Sequence, residues 1–239
     1  MSTRVLSSVA LTSALLLGTA GCFGQEDDNG EGVSEGRTPT EVMELAKETL
    51  DEAEGLRLDL YAVDLPKGAD NALVEASGIV VRPASFDGSG RARASGFEVD
   101  ADLRAIGDDF WVRSPVLGDR WMQVDPSQYG IPNPNDLLAP DGGLSELLLA
   151  TEDLAEGESV RGGGNNDEVL TEFTGTLPAD AVQDVVSIAS GDAFDIEYLV
   201  ADDGELREIR ITGEFYGHHE LTYVVNLDDY GATREIKAP

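Results

Sequence analysis

Cysteine is almost absent from this 239-residue chain; the single one, Cys22, excludes a disulfide within it. Histidine is nearly absent too: His218 and His219 stand side by side. Neighbours on a strand point to opposite faces. Such a pair does not converge on a metal, and it reads as a hairpin or strand end. Positive charge is scarce, 16 Lys and Arg against 47 Asp and Glu, for a net charge of −31. A surface of that sign repels nucleic acid and anionic headgroups, so no nucleic-acid partner is expected. The acidity itself reads as a solubilising surface. No Gly-x-Ser-x-Gly nucleophile elbow is expected. Carboxylates are so many that close pairs arise by chance, and no glycosidase dyad follows from them. Asp202-Asp203-Gly204-Glu205 and the stretch from Asp125 to Asn135 lack the ligand spacing of an EF-hand loop and read as solvated turns. Neither enzyme activity nor a cofactor or metal is expected.

Long hydrophobic runs are missing except at the N-terminus. One charge, Arg4, precedes an apolar stretch over residues 5–17, and Thr19, Ala20 and Gly21 lead into Cys22. The run is shorter than the about 20 residues of a membrane-spanning helix. Charge, apolar run, small residues and cysteine in that order read as a bacterial lipoprotein signal. The Cys22 thiol would then take a diacylglyceryl group. The alternative is an ordinary secretory signal with Cys22 incidental. The expected organisation is a signal peptide over 1–21, a lipidated cysteine and acidic tether over 22–37, and a single domain over 38–239. That domain would sit on the extracytoplasmic face of the cell membrane. The tether is rich in Gly, Asp and Glu and is expected to be disordered, with a reach of roughly 20 Å.

Thr38-Pro39-Thr40-Glu41 is a helix start: Thr38 caps, Pro39 opens the first turn and Glu41 completes a capping box. Apolar residues at helical spacing carry the helix to about residue 54, and Gly55 stops it. Leu56, Leu58 and Leu60 then alternate with polar residues, as a half-buried strand does. A strand over 74–82 places Val74, Ala76, Gly78 and Val80 on one face. Residues 91–95 alternate, and Phe97, Val99, Ala101 and Leu103 alternate with Glu98, Asp100, Asp102 and Arg104. Gly107-Asp108-Asp109 turns into Phe110-Trp111-Val112-Arg113, and Trp121 to Val124 is a further short strand. A long Pro- and Gly-rich loop fills 125–143, followed by the apolar helix Leu144 to Ala150. A strand over 169–176, a third helix over 178–189 and strands over 194–200, 206–215 and 221–227 complete the pattern.

Several weak features in order carry a resemblance. They are the Trp121 strand, Tyr129, Ile131, Pro134, Leu137-Leu138, Pro140-Asp141-Gly142-Gly143-Leu144 and Ala155-Glu156-Gly157. Thr174-Gly175, Ala179-Asp180-Ala181-Val182, Leu221 to Asn226, Tyr230-Gly231 and Ile236 to Pro239 continue it. The sequence resembles the LppX/LprA/LprF/LprG lipoproteins of mycobacteria and related actinobacteria. The resemblance implies an α+β fold, a LolA/LppX-like half-barrel: a curved antiparallel sheet wrapped around helices with an apolar cavity between. It implies a carrier of acylated lipids or glycolipids, anchored to the membrane through Cys22, with a membrane lipid exporter as partner.

The candidate cavity walls are Leu58, Leu60, Val74, Gly78, Val80, Phe97, Val99 and Leu103 from the sheet, and Leu144, Leu147, Leu148, Val182, Val185 and Val186 from the helices. Gly78 and Ala76 are expected to leave space. The alternative is that these side chains form an ordinary packed core in a surface lipoprotein that acts through protein interaction or envelope assembly.

Overall fold

The computed structural model describes residues 32–69, 71–94, 96–126, 133–163, 167–217 and 219–239. The signal, Cys22, most of the tether, Tyr129, Ile131 and His218 lie outside them.

Helix α1 (Pro39–Glu52) starts as its sequence dictates. Glu41 N–H donates to Thr38 Oγ1 at 3.3 Å, and Glu41 Oε2 accepts from Thr38 N–H at 2.7 Å. Two of the orphan donors at the helix start are thus satisfied reciprocally. Val42, Met43, Ala46 and Leu50 form the buried stripe. The packed part of the chain begins before this cap. Val33 is fully buried, so the stretch expected to be solvated throughout enters the core there.

A first meander follows: β1 (Gly55–Val63), β2 (Ala72–Val81), β3 (Ser85–Ala94), β4 (Phe97–Ile106), β5 (Asp109–Arg113) and β6 (Met122–Val124). Two short helices, α2 (Pro134–Leu137) and α3 (Leu144–Ala150), lead into β7 (Glu152–Gly162) and β8 (Glu168–Pro178). Helix α4 (Ala179–Val185), β9 (Ala193–Ala201), β10 (Leu206–Phe215) and β11 (His219–Asp228) complete the described elements. All strands join one antiparallel sheet in the order β6-β5-β4-β3-β2-β1-β11-β10-β9-β8-β7. The two meanders therefore meet where β1 pairs with β11, with Leu60 opposite Val225.

Helices and core are unevenly spread over the sheet. Helix α1 packs on α3, β7 and β10, and α4 packs on β8 and β9. Between them lies a core that includes Phe173, Phe194, Tyr198, Phe215 and Leu227. Among the described residues, the β2–β6 half has the short helix α2 against it, on β3 and β4.

Three details depart from the pattern of the sequence. Strand β3 begins at Ser85 and runs through Gly88-Ser89-Gly90. The glycines are there because the Phe86 ring lies over them: a Cβ on Gly78 or Gly88 would stand 2.5 or 2.7 Å from ring atoms. Helix α4 stops at Val185 because Ala189 bridges to Phe215, and Tyr216 N–H donates to Ile188 O at 3.2 Å. Helix α2 forms within the long loop: Asn133 caps it, and the Asn133 and Asn135 amides donate to Gly107 O at 3.2 and 3.0 Å. Those bonds fasten α2 to the β4–β5 turn.

Candidate functional site

The inner face of the first meander is built from cross-strand rows. Leu60, Ala76, Gly90 and Ala101 stand directly opposite one another on β1 to β4. Three of these four side chains are a methyl group or smaller. Beside that row run Leu58, Gly78, Gly88, Leu103 and Val112. The next row carries Val80, Phe86, Ala105, Phe110 and Val124. Large residues thus close one end of the inner face, and small ones leave its middle empty.

The result is a cavity of about 370 Å³, walled by these strands, by Pro134 and Leu137 of α2, and by Val116 and Leu117 of the 3-10 turn Pro115–Leu117. Ligand pockets commonly occupy about 300–1,000 Å³. Arg91 and Ser114 bring polar groups to the wall, and both are engaged. Arg91 Nε donates to Asp100 Oδ1 at 2.7 Å, and Ser114 Oγ donates to Asp100 O at 2.8 Å. The rest of the lining is apolar. A larger depression of about 670 Å³ on the opposite face of the same strands is lined by Asp59, Glu75, Ser77, Ser89, Asp102 and Arg113 among others. Ion pairs such as Arg113 to Asp102, at 2.6 Å, make it a polar surface.

The expected wall residues fall into four groups. Leu58, Leu60, Val99 and Leu103 line the cavity. Leu144 and Val186 line a narrow apolar cleft of about 30 Å³ that shares Leu60, Leu73 and Leu137 with the main cavity. Val80, Leu147, Leu148, Val182 and Val185 are buried in the packed core and do not line the cavity. Gly78, Val74 and Phe97 correct the expectation. The space at Gly78 is taken by the Phe86 ring. Val74 is displaced by a bulge between Leu73 and Glu75, which puts Leu73 in the wall instead. Phe97 has the inward parity but stands at the open end of β4 and is 76% exposed.

The bulge is held by a closed circuit of hydrogen bonds. Leu73 N–H donates to Tyr216 Oη at 3.0 Å, and Tyr223 Oη donates to Leu73 O at 2.8 Å. The two hydroxyls are 2.6 Å apart. With the Tyr223 proton committed to Leu73, Tyr216 is the donor between them. Leu73 lies past Glu75, the last β2 residue paired with β1, and these hydroxyls satisfy its backbone N–H and C=O. Burial pushes both tyrosine hydroxyls above their ordinary range.

The residues missed from the sequence include Leu73, Phe86, Gly90, Ala92, Ala94, Ala101, Phe110, Val112, Val116, Leu117, Val124 and Leu137. The inward alternation of Gly88, Gly90, Ala92 and Ala94 was the available signal for β3. Among the described residues, no group of three or more His, Cys, Asp and Glu is placed to hold a metal. The expectation of no Gly-x-Ser-x-Gly pattern is corrected by Gly32-Val33-Ser34-Glu35-Gly36, which has its letters, but residues 33–36 form a turn that buries Val33. Among the described residues, no helix is long and apolar enough to cross a membrane.

The fold is similar to that of LprF from Mycobacterium bovis, with a TM-score of 0.69 and 14% identity over 84% of this chain and 96% of that one. It is also similar to that of the lipoprotein LppX from Mycobacterium tuberculosis, with a TM-score of 0.60 and 14% identity over 83% of this chain and 98% of that one. No curated protein matches the sequence. At such identity the two structures speak for the fold: α+β, with one antiparallel sheet and few helices. The model of the LppX/LprAFG lipoprotein family matches residues 38–234, most of the chain. The chain belongs to the LppX/LprAFG lipoprotein family.

Proposed function

We propose that this protein takes the acyl part of a lipid or glycolipid into the cavity and carries it within the cell envelope. It does so tethered through lipidated Cys22 to the extracytoplasmic face of the membrane, with a membrane lipid exporter as partner. The observation that carries this reading is the row Leu60, Ala76, Gly90 and Ala101. Small residues at adjoining positions of neighbouring strands leave a void under an apolar roof, where larger ones would have filled it. Membership of a lipoprotein family supports it.

The mechanism is sequestration. Each methylene withdrawn from water contributes about 0.8 kcal/mol. About ten methylenes offer about 8 kcal/mol before the cost of ordering the chain. No bond in the cargo is made or broken. Titration with a fluorescent acyl-chain probe, competed by an acylated glycolipid, tests the reading. Saturable binding near one probe per chain is expected. Probe emission unchanged throughout would transfer the protein to a role in protein interaction or envelope assembly.

A further inference from the structure

Large apolar side chains are mostly buried; the exposed ones among the described residues are Tyr61, Phe97, Val116, Leu117, Leu149 and Val169. Three of them gather at one end of the cavity. Val116 and Leu117 are 75% and 43% exposed, yet both also form part of the wall. Phe97, 76% exposed, stands opposite Ala94, another wall residue. Strand β5 runs antiparallel to β4 with Arg113 opposite Asp102, so the turn that follows β5 reaches back toward the Phe97 end. The bond from Ser114 Oγ to Asp100 O holds it there. The apolar interior therefore continues onto exposed side chains at this end.

Charge is divided along the same line. Residues 55–126, which hold β1 to β6, carry eight Arg and Lys against twelve Asp and Glu. Residues 152–228, which hold β7 to β11, carry three against nineteen. The acidity is concentrated away from the cavity. Both halves are net acidic, but beside an anionic bilayer the β7–β11 half is repelled far more strongly, so the cavity half is the one turned toward the lipid.

We propose that Phe97, Val116 and Leu117 form a docking rim that enters the surface of a lipid bilayer and seats the cavity mouth on it. The acidic half then faces water. A bilayer suits this rim because it receives protruding apolar side chains without a matching shape or a partner charge. The purpose of the rim rests on the lipid-carrier reading; its geometry does not.

The test is amide exchange of the full-length protein with and without phosphatidylcholine–phosphatidylglycerol vesicles. Slower exchange is expected at 96–97 and 116–118, with none on the edge strand β7. The double substitution Val116→Asp with Leu117→Asp alters exposed positions and leaves the melting temperature in place. It is expected to abolish that protection and to slow lipid uptake from the vesicles about tenfold or more. Unchanged exchange at the rim, or equal protection across β7, overturns the proposal. Lipid content, measured on the same samples, separates the two readings. Protein that carries lipid without rim protection overturns the docking rim alone. Protein that docks by the rim and stays empty overturns the carrier reading alone.

Discussion

Replacing Ala101 with tryptophan places a large ring where the structure has a void. Ala101 sits on β4 opposite Gly90, and its methyl group faces the middle of the cavity. An indole there displaces part of the bound chain. A ring that excludes about four methylenes removes about 3 kcal/mol of transfer free energy. That weakens lipid binding about 200-fold. The fold has no reason to suffer, because the ring fills empty space and tryptophan is well suited to a strand. Ala105 provides the contrast. It lies four residues further along the strand on the same face, fully buried between Phe86 and Phe110. Ala105→Trp overpacks that site and is expected to cost about 1–3 kcal/mol of stability. The assay pairs lipid stoichiometry by native mass spectrometry with thermal melting. The expected outcome is an empty, stable Ala101 variant and a destabilised Ala105 variant. An Ala101→Trp protein that binds lipid like the parent, or that melts as early as Ala105→Trp, would refute the placement of the void.

Other outcomes follow from the same structure. Arg82 donates to Leu50 O at 2.8 Å and Ala53 O at 2.9 Å at the end of α1, and also to Leu138 O beyond α2. Arg82→Ala leaves these carbonyls without their charged donor and is expected to cost about 3 kcal/mol in denaturant unfolding; a change below about 0.5 kcal/mol would count against the staple. Gly78→Ala drives a methyl against the Phe86 ring; melting should show a loss of about 1–3 kcal/mol, and a neutral result would mean that the ring is not seated there. Tyr223→Phe leaves Leu73 O without its donor; a loss of about 1–3 kcal/mol is expected, with faster amide exchange at Leu73 as the readout. Because burial raises the Tyr216 and Tyr223 hydroxyls above their unfolded value, their contribution is fully present below about pH 10 and falls as pH rises beyond it. An alkaline melting series should show that fall in the parent and a smaller one in Tyr223→Phe; identical slopes would exclude the circuit as its source.

Much of this architecture is written in local chemistry. Thr38, Pro39 and Glu41 specify the start of α1, and simple alternation points Leu58, Leu60, Val99 and Leu103 inward, where they line the cavity. The exceptions have physical causes that alternation does not encode. Val74 follows the period of its neighbours, but one extra residue at the bulge reverses the faces before it and brings Leu73 inward. Phe97 obeys the period of β4 and stands at its exposed end, because parity states which face a side chain takes but not what covers that face. Ser85 to Gly90, rich in Gly and Ser, shows no apolar alternation that would mark it as a strand. Its glycines are instead the seat of Phe86, a contact made by the ring curling onto its own strand and the next. Leu147, Leu148, Val182 and Val185 share the apolar character of the wall residues and pack into the core of the other half of the sheet. Nothing in a helical stripe says which half receives it. Emptiness is a property of several strands together, visible only once Ala76, Gly90 and Ala101 are aligned by register.

Whether this cavity holds an acyl chain is decided by comparing two masses. The full-length protein is purified from an actinobacterial host and its mass measured under native and then denaturing conditions. A covalent anchor on Cys22 survives denaturation, whereas a lipid held in the cavity does not. A native mass greater by one acylated lipid per chain is expected, released on denaturation and restored by incubation with glycolipid vesicles. Equal native and denatured masses, before and after that incubation, would contradict it.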